Sequence, residues 1–192
     1  MNHMLSLLET RRSLPPKQLR EPGPDKEQLE HLLTIAARVP DHGKLAPWRF
    51  IVIAENARVH LGEIAAAAFL TDNVDIDRET IEVERGRFTR APVVVAIVSR
   101  ARSHPKIPVW EQQLSAGAVA MNLLISAEAA GFSAVWLTEW CAFDRRILDA
   151  LGLEPDERLA GFVYIGTPAL KREERSDRAR PDLSAIISYY RE

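Results

Sequence analysis

Residues 112–138 read QQLSAGAVAMNLLISAEAAGFSAVWLT, and the fold follows from how this stretch can be buried. The spacing predicts a helix of about five turns, a glycine stop at Gly131 and then a short buried strand. Between Leu114 and Ala127 there is no charged residue, and apolar or small side chains occur all round the cylinder. Such a helix cannot lie on a surface, so it has to fill a core or an interface. Ala116, Gly117, Ala118, Ala120, Ala127, Ala129 and Ala130 carry little bulk, which lets other backbones approach. Burying Leu114, Val119, Met121, Leu123, Leu124 and Ile125 contributes roughly 9–18 kcal/mol before chain entropy is set against it. Ser115, Asn122, Ser126 and Glu128 interrupt the run and argue against a membrane span. The expectation is a central helix shared between subunits.

Working outward, 192 residues suit one domain with a sizeable core. An apolar content of 46% with 27% charged residues is that of an ordinary soluble protein. The formal net charge of -2 gives no electrostatic case for nucleic acid or an anionic membrane as partner. One cysteine, Cys141, allows no intramolecular disulfide and fits a reducing compartment. Residues 1–12 lack the long apolar core and cleavage site of a signal peptide, so a cytoplasmic location is expected. No internal repeat or low-complexity tract stands out.

Upstream of the central helix, residues 3–10 read as a short helix ending in Arg11-Arg12-Ser13 and stopped by Pro15-Pro16. Asp25 is a good N-cap for a helix over 26–38. A proline-bracketed loop, VPDHGKLAP (39–47), leads into WRFIVIA (48–54), a strand of β-formers. Residues 58–70 read as a helix and 75–90 as a charged, amphipathic surface helix. PVVVAIVS (92–99) is a continuous apolar run suited to a strand buried on both faces. Downstream, a helix over about 144–151 precedes the strand LAGFVYIGT (159–167). The tail is charged over 171–180 and apolar over 183–190, and its apolar part must dock on its own domain or on a second subunit. Four strands interleaved with helices give an α/β or α+β class.

Several chemistries are absent from the pattern. No strand is followed by G-x-G-x-x-G, and there is no G-x-x-x-x-G-K-[ST], so neither pyrophosphate turn is supported. His3, His31, His42, His60 and His104 show no metal-ligand spacing, and no G-x-S-x-G elbow occurs. Paired carboxylates such as Glu82 and Glu84 lie in charged helical stretches and read as a solvated face. A cofactor enzyme or a binding module remains. Arg11, Arg12 and Ser13 near one end, with Arg178 and Arg180 near the other, offer guanidinium donors to a phosphate monoester if the fold unites them.

The motifs in order carry a family resemblance. RRS after a short leading helix, AARVPDHGKLAPWRFIVI, SAGAVAMNLLISAEAAGF with VWLT behind it, and GFVYIGTPALK before a late basic pair resemble the nitroreductase family of flavoenzymes. PDH followed by PW, the WEQQ-SAG segment and the GTPALK ending look most like its compact YdjA-type branch. The resemblance spans residues 5–190. It implies an α+β, nitroreductase-like fold: a mixed, mainly antiparallel sheet surrounded by helices, as one domain over 1–192. It also implies a homodimer built on the long central helices, with residues 183–192 packing on the partner. One FMN is expected in each of two grooves at the interface, with NADH or NADPH as electron donor and a small-molecule acceptor.

Carried over residue by residue, the resemblance places Arg11, Arg12 and Ser13 at the FMN phosphate and ribityl chain. Arg178 and Arg180 complete the phosphate clamp. Arg38 and His42 flank the PDH turn near the flavin ring on the partner's side. Lys44 stands where many relatives have an asparagine facing the pyrimidine edge, and as a lysine it supplies positive charge near flavin N1 and O2. Trp136, Leu137 and Thr138 match the strand end behind the ring, where a backbone N–H commonly meets N5. Relatives in this branch can carry arginine at the position of Leu137. No dedicated catalytic acid or base is implied. The implied activity is NAD(P)H-driven reduction of nitroaromatics, quinones or similar acceptors by a ping-pong scheme. Two alternatives stay open: an FMN carrier or sensor with little turnover, and another flavin reaction on the same scaffold, such as dehydrogenation or flavin fragmentation.

Overall fold

The computed structural model describes residues 3–191. Its strands are β1 (Leu19–Arg20), β2 (Trp48–Ala54), β3 (Val93–Ser99), β4 (Ser133–Leu137) and β5 (Arg158–Pro168). Its α-helices are α1 (His3–Thr10), α2 (Lys26–Ala36), α3 (Asn56–Asp72), α4 (Arg78–Arg85), α5 (Val109–Ala129) and α6 (Arg145–Ala150). The long strand β5 organises the sheet: it pairs with β3, β4 and β1, and β2 adds outside β3. Every one of these pairs is antiparallel.

Strand β3 shows why the helices lie on both faces. All seven of its residues are buried, and the side chains alternate between two separate cores. Val94, Ala96 and Val98 join Leu61 and Ala65 of α3, Ile147 and Leu148 of α6, and the edge-on pair Phe88 and Phe162. Val93, Val95 and Ile97 join Leu29, Leu32 and Ala36 of α2 and Val119, Ala120, Leu123 and Ala127 of α5. The result is a helix–sheet–helix sandwich of the α+β class that the family resemblance implied, although among the described residues the sheet is antiparallel throughout and not mixed.

Most of the anticipated elements form, with local differences. The Asp25 cap is a full capping box, with Gln28 N–H donating to Oδ1 at 2.8 Å and Asp25 N–H to the Gln28 side chain at 3.0 Å. Residues 75–90 do not make one surface helix. They form α4 and a 3-10 turn over Arg87–Thr89, and Glu84 and Arg87 are buried, correcting the solvated reading of Glu84. Arg87 donates to Glu84 at 2.8 Å through Nε, and Trp140 Nε1 donates to the same carboxylate at 2.8 Å. A neighbouring ion pair joins Arg90 to Glu139, and Arg90 donates to Tyr164 Oη at 3.0 Å. Burial works against charge throughout this network, but the paired carboxylates outweigh it and hold Arg87 and Arg90 more firmly protonated than usual.

The central helix is buried on only part of its circumference. Trp110, Leu114 and Met121 are exposed at spacings of four and seven residues, a stripe along one side of α5. Met4, Leu5 and Leu8 of α1 are exposed as well, as are Leu183, Ile186, Ile187, Tyr189 and Tyr190 in the tail. No helix among the described residues is long and apolar enough to cross a membrane.

Candidate flavin-binding site

A cavity of about 540 Å³ opens between the end of α1, the C-terminal half of α5, the end of β4 and the loop that follows β5. Six of the residues singled out from the sequence line it: Arg11, Arg12, Ser13, Trp136, Arg178 and Arg180. Pro15, Leu124, Ser176 and Asp177 complete the wall.

Each wall has a local cause. Leu7 and Leu14 are both buried, so the chain between them is held against the core while residues 11–13 turn outward. Arg11 N–H donates to Leu7 O at 2.8 Å, closing the last turn of α1. Arg12 Nη1 donates to Glu9 O at 2.8 Å and to Arg11 O at 3.0 Å, which fixes its guanidinium beside the helix end. Arg11 reaches Ser13 Oγ at 3.3 Å. The opposite wall, residues 176–180, is fastened by Arg175, whose guanidinium meets Glu128 of α5 at 2.7 Å. These two side chains are only 5% and 3% exposed, so the pair is a buried one. Ser133 Oγ donates to the other Glu128 oxygen at 3.2 Å.

The floor is apolar and depends on a bulge. The register between β3 and β5 slips after Ile97, which faces Gly161 while Val98 faces Leu159, leaving Ala160 without an opposite residue. The Ala160 carbonyl instead accepts from Trp136 Nε1 at 2.9 Å. The indole lies over Gly161, where a Cβ would fall 2.2 Å from Nε1. Trp136 and Leu124 therefore give the cavity a flat apolar side next to its cationic rim.

Charge in the cavity is unbalanced, with four guanidiniums facing one carboxylate. Burial lowers the Arg11 pKa, Glu128 opposes that, and Arg180, Arg12 and Arg178 add to the lowering. Burial raises the Asp177 pKa, but the Arg180 hydrogen bond and the charges of Arg12 and Arg180 outweigh it and hold the carboxyl below its ordinary range. Several cations kept close at such mutual cost form a receptor for a multiply charged anion. With an apolar slab alongside, the donor set fits a phosphate monoester attached to an aromatic group, as FMN is.

The remaining predicted residues are not in this cavity. Leu137 pairs with Phe162 and packs into the core, and Thr138 is exposed just beyond the strand. His42 lies further toward the N-terminus of α5, in a cleft of about 310 Å³ with Pro40, Glu111, Leu114, Ser115 and Ala118. Its Nδ1 meets Glu111 Oε2 at 2.8 Å. The loop holding it is tight: Lys44 and Ala46 have positive φ (55 and 44), and Asp41 accepts from Leu45 N–H at 3.0 Å and Ala46 N–H at 2.8 Å. Ser115 Oγ donates to Pro40 O at 2.7 Å, pinning the loop to α5, and Asn122 Nδ2 donates to Ile35 O at 2.8 Å, tying the end of α2 to the same helix. Arg38 and Lys44 are exposed and line neither cleft.

Sequence reasoning missed Asp177, Glu111 and the Glu128–Arg175 anchor. Only Glu128 gave a signal: a lone carboxylate in a helix that must be buried calls for a buried cation. Cys141 is wholly buried, and burial pushes its thiol up to about 12, so it is inert as a nucleophile.

Comparison with known proteins agrees with this architecture. Residues 8–167 match the Nitroreductase family, and the chain belongs to that family. It is 32% identical over 192 residues to YdjA of Escherichia coli K12, provisionally named an NAD(P)H nitroreductase, covering 97% of this chain and 98% of that one. A nitroreductase-like family protein from Bacillus cereus superposes with a TM-score of 0.85 at 18% identity, covering 99% and 97% of the two chains. A provisionally assigned nitroreductase from Desulfovibrio desulfuricans, solved in complex with FMN, superposes with a TM-score of 0.74 at 22% identity over 100% and 98% of the two chains.

Proposed function

We infer that this protein is an FMN-dependent oxidoreductase that uses NAD(P)H to reduce small acceptors of the nitroaromatic or quinone type, acting as a homodimer. The observation that carries the reading is the cavity in which Arg11, Arg12, Arg178 and Arg180 adjoin the apolar side made by Trp136 and Leu124. Family membership, a relative named for NAD(P)H and a structural neighbour that holds FMN support it. FMN held there would supply two-electron, hydride-transfer chemistry between nicotinamide and acceptor. The chain's part is to hold and shield. The guanidiniums would hold the phosphate and Ser13 would add a hydroxyl beside it, while Leu137 and Thr138 close the strand end next to Trp136.

The homodimer reading rests on the surfaces left open. The α5 stripe of Trp110, Leu114 and Met121, the α1 residues Met4, Leu5 and Leu8, and the apolar tail are too much exposed apolar surface for a lone subunit. A second copy along α5, with residues 183–191 laid across it, would cover them. Both clefts flank α5, so the same docking would bring the His42, Lys44 and Arg38 loop of one copy toward the cavity of the other.

The test is an absorbance spectrum of the purified protein before and after anaerobic NADPH. A flavin band that bleaches and returns with an added quinone is expected. A protein that is colourless and refuses FMN overturns the reading, and a band that never bleaches replaces the enzyme with a carrier.

A further inference from the structure

One carboxylate stands inside the cationic cavity, and it comes from the clamp loop itself. Asp177 accepts from Arg12 at 2.6 Å and from Arg180 at 3.0 Å, two of the four guanidiniums that line the wall. The Arg178 backbone N–H also donates to its Oδ1 at 2.9 Å, but no helix or strand spans residue 177, and its side chain is 39% exposed. The donors that a phosphate would need are thus shared with an internal anion that has a short path back to water.

We propose that Asp177 is a resident counter-ion of the phosphate subsite, displaced by FMN on binding, and that it sets the affinity and the charge selectivity of that subsite. The inference rests on the FMN reading above. Its physical basis is an exchange. In the empty protein the carboxylate relieves repulsion among the guanidiniums and keeps the loop closed over them. A phosphate dianion brings twice the charge and more acceptor oxygens, so it wins both arginines and pushes the carboxylate to solvent. A neutral flavin or a singly charged anion gains too little to displace it. The competition therefore filters for phosphate monoesters, at the expense of part of their affinity.

An alternative role gives the opposite sign. If Asp177 only braces Arg12 and Arg180 in their binding geometry, its removal loosens them and weakens the phosphate contact. The direction of the effect separates competitor from brace.

The experiment is a fluorescence titration of flavin-stripped, full-length protein with FMN and, separately, riboflavin. It compares wild type, Asp177→Asn, Asp177→Ala and Asp182→Asn. The last removes the same charge from the same segment, but at a residue that caps the turn over Leu183–Ala185 and does not line the cavity. Both Asp177 variants are expected to bind FMN roughly tenfold more tightly, with riboflavin affinity unchanged and a steeper salt dependence for FMN. Asp182→Asn is expected to match wild type. FMN affinity that is unchanged or weaker in both Asp177 variants, while wild type binds FMN, overturns the proposal and leaves the flavin reading standing. Equal tightening by Asp182→Asn, or equal tightening for riboflavin, also overturns it. Wild type that binds neither flavin overturns both.

Discussion

Replacing Gly161 with alanine tests whether the cavity's apolar side depends on the β-bulge beneath it. An added Cβ would lie 2.2 Å from Trp136 Nε1, 2.6 Å from Cδ1 and 2.8 Å from the Leu137 carbonyl oxygen. Two of those atoms belong to a large ring and the third to the backbone of a paired strand, so no flexible side-chain end can give way. Gly161 also has φ +149, where an L side chain is strained. The indole would have to leave, breaking its 2.9 Å hydrogen bond to the Ala160 carbonyl, which the bulge keeps out of the strand ladder.

The magnitudes combine as follows. Backbone strain costs about 1–3 kcal/mol. Overpacking against a ring that can move only into the cavity costs about 1–3 kcal/mol. The lost hydrogen bond adds about 1 kcal/mol. A loss of roughly 3–7 kcal/mol is expected, a large share of the 5–15 kcal/mol typical of a whole domain. Urea unfolding, followed by far-ultraviolet circular dichroism, should show a much lower midpoint at unchanged slope. Flavin titration of the still-folded fraction should show FMN and riboflavin weakened alike, because the displaced indole enters the apolar side and not the cationic rim. A variant with the wild-type midpoint and wild-type flavin affinity would refute the argument that Gly161 is what lets Trp136 lie where it does.

Other consequences are open to measurement. Glu128→Gln leaves the buried Arg175 charge without its carboxylate, so stability should fall by about 3–5 kcal/mol; the double change Glu128→Leu with Arg175→Met should recover much of it, and equal losses in the two would argue against a buried ion pair. Met121→Glu places a charge in the exposed α5 stripe, and sedimentation should show a monomer; a persisting dimer would move the seam elsewhere. The Glu139 carboxyl is pushed up by burial, but Arg90 and Arg87 outweigh that and hold it below its ordinary value. A depressed folded-state pKa stabilises the fold above the usual glutamate range and loses that stabilisation as pH falls through the folded value. Acid unfolding of Glu139→Gln should therefore be less steep below about pH 4.3 than that of wild type, and identical profiles would remove Glu139 from the account.

The contrast between α5 and the cavity shows where local sequence stops being informative. A helix with no charge from Leu114 to Ala127 can be read as buried, because that property belongs to the segment itself. In the single subunit Trp110, Leu114 and Met121 stay exposed, so for that stripe the reading rests on the homodimer proposed above. Pairings are different in kind. Glu84 reads as solvated because its stretch is rich in charge, and only the fold reveals Arg87 and Trp140 closing over it. His42 and Glu111 are 69 residues apart, and nothing local to either names the other. The two arginine clusters suggest an anion site only on the condition that the fold joins them; the family resemblance supplied that condition in advance, and the cavity brings them together. Asp177 was invisible for a further reason. In a linear reading a carboxylate between basic residues merely cancels charge, whereas here it occupies donors on two walls at once, Arg12 from the end of α1 and Arg180 from its own loop. What such a residue does depends on which charges the fold gathers around it, so the composition of its own segment is the wrong place to look.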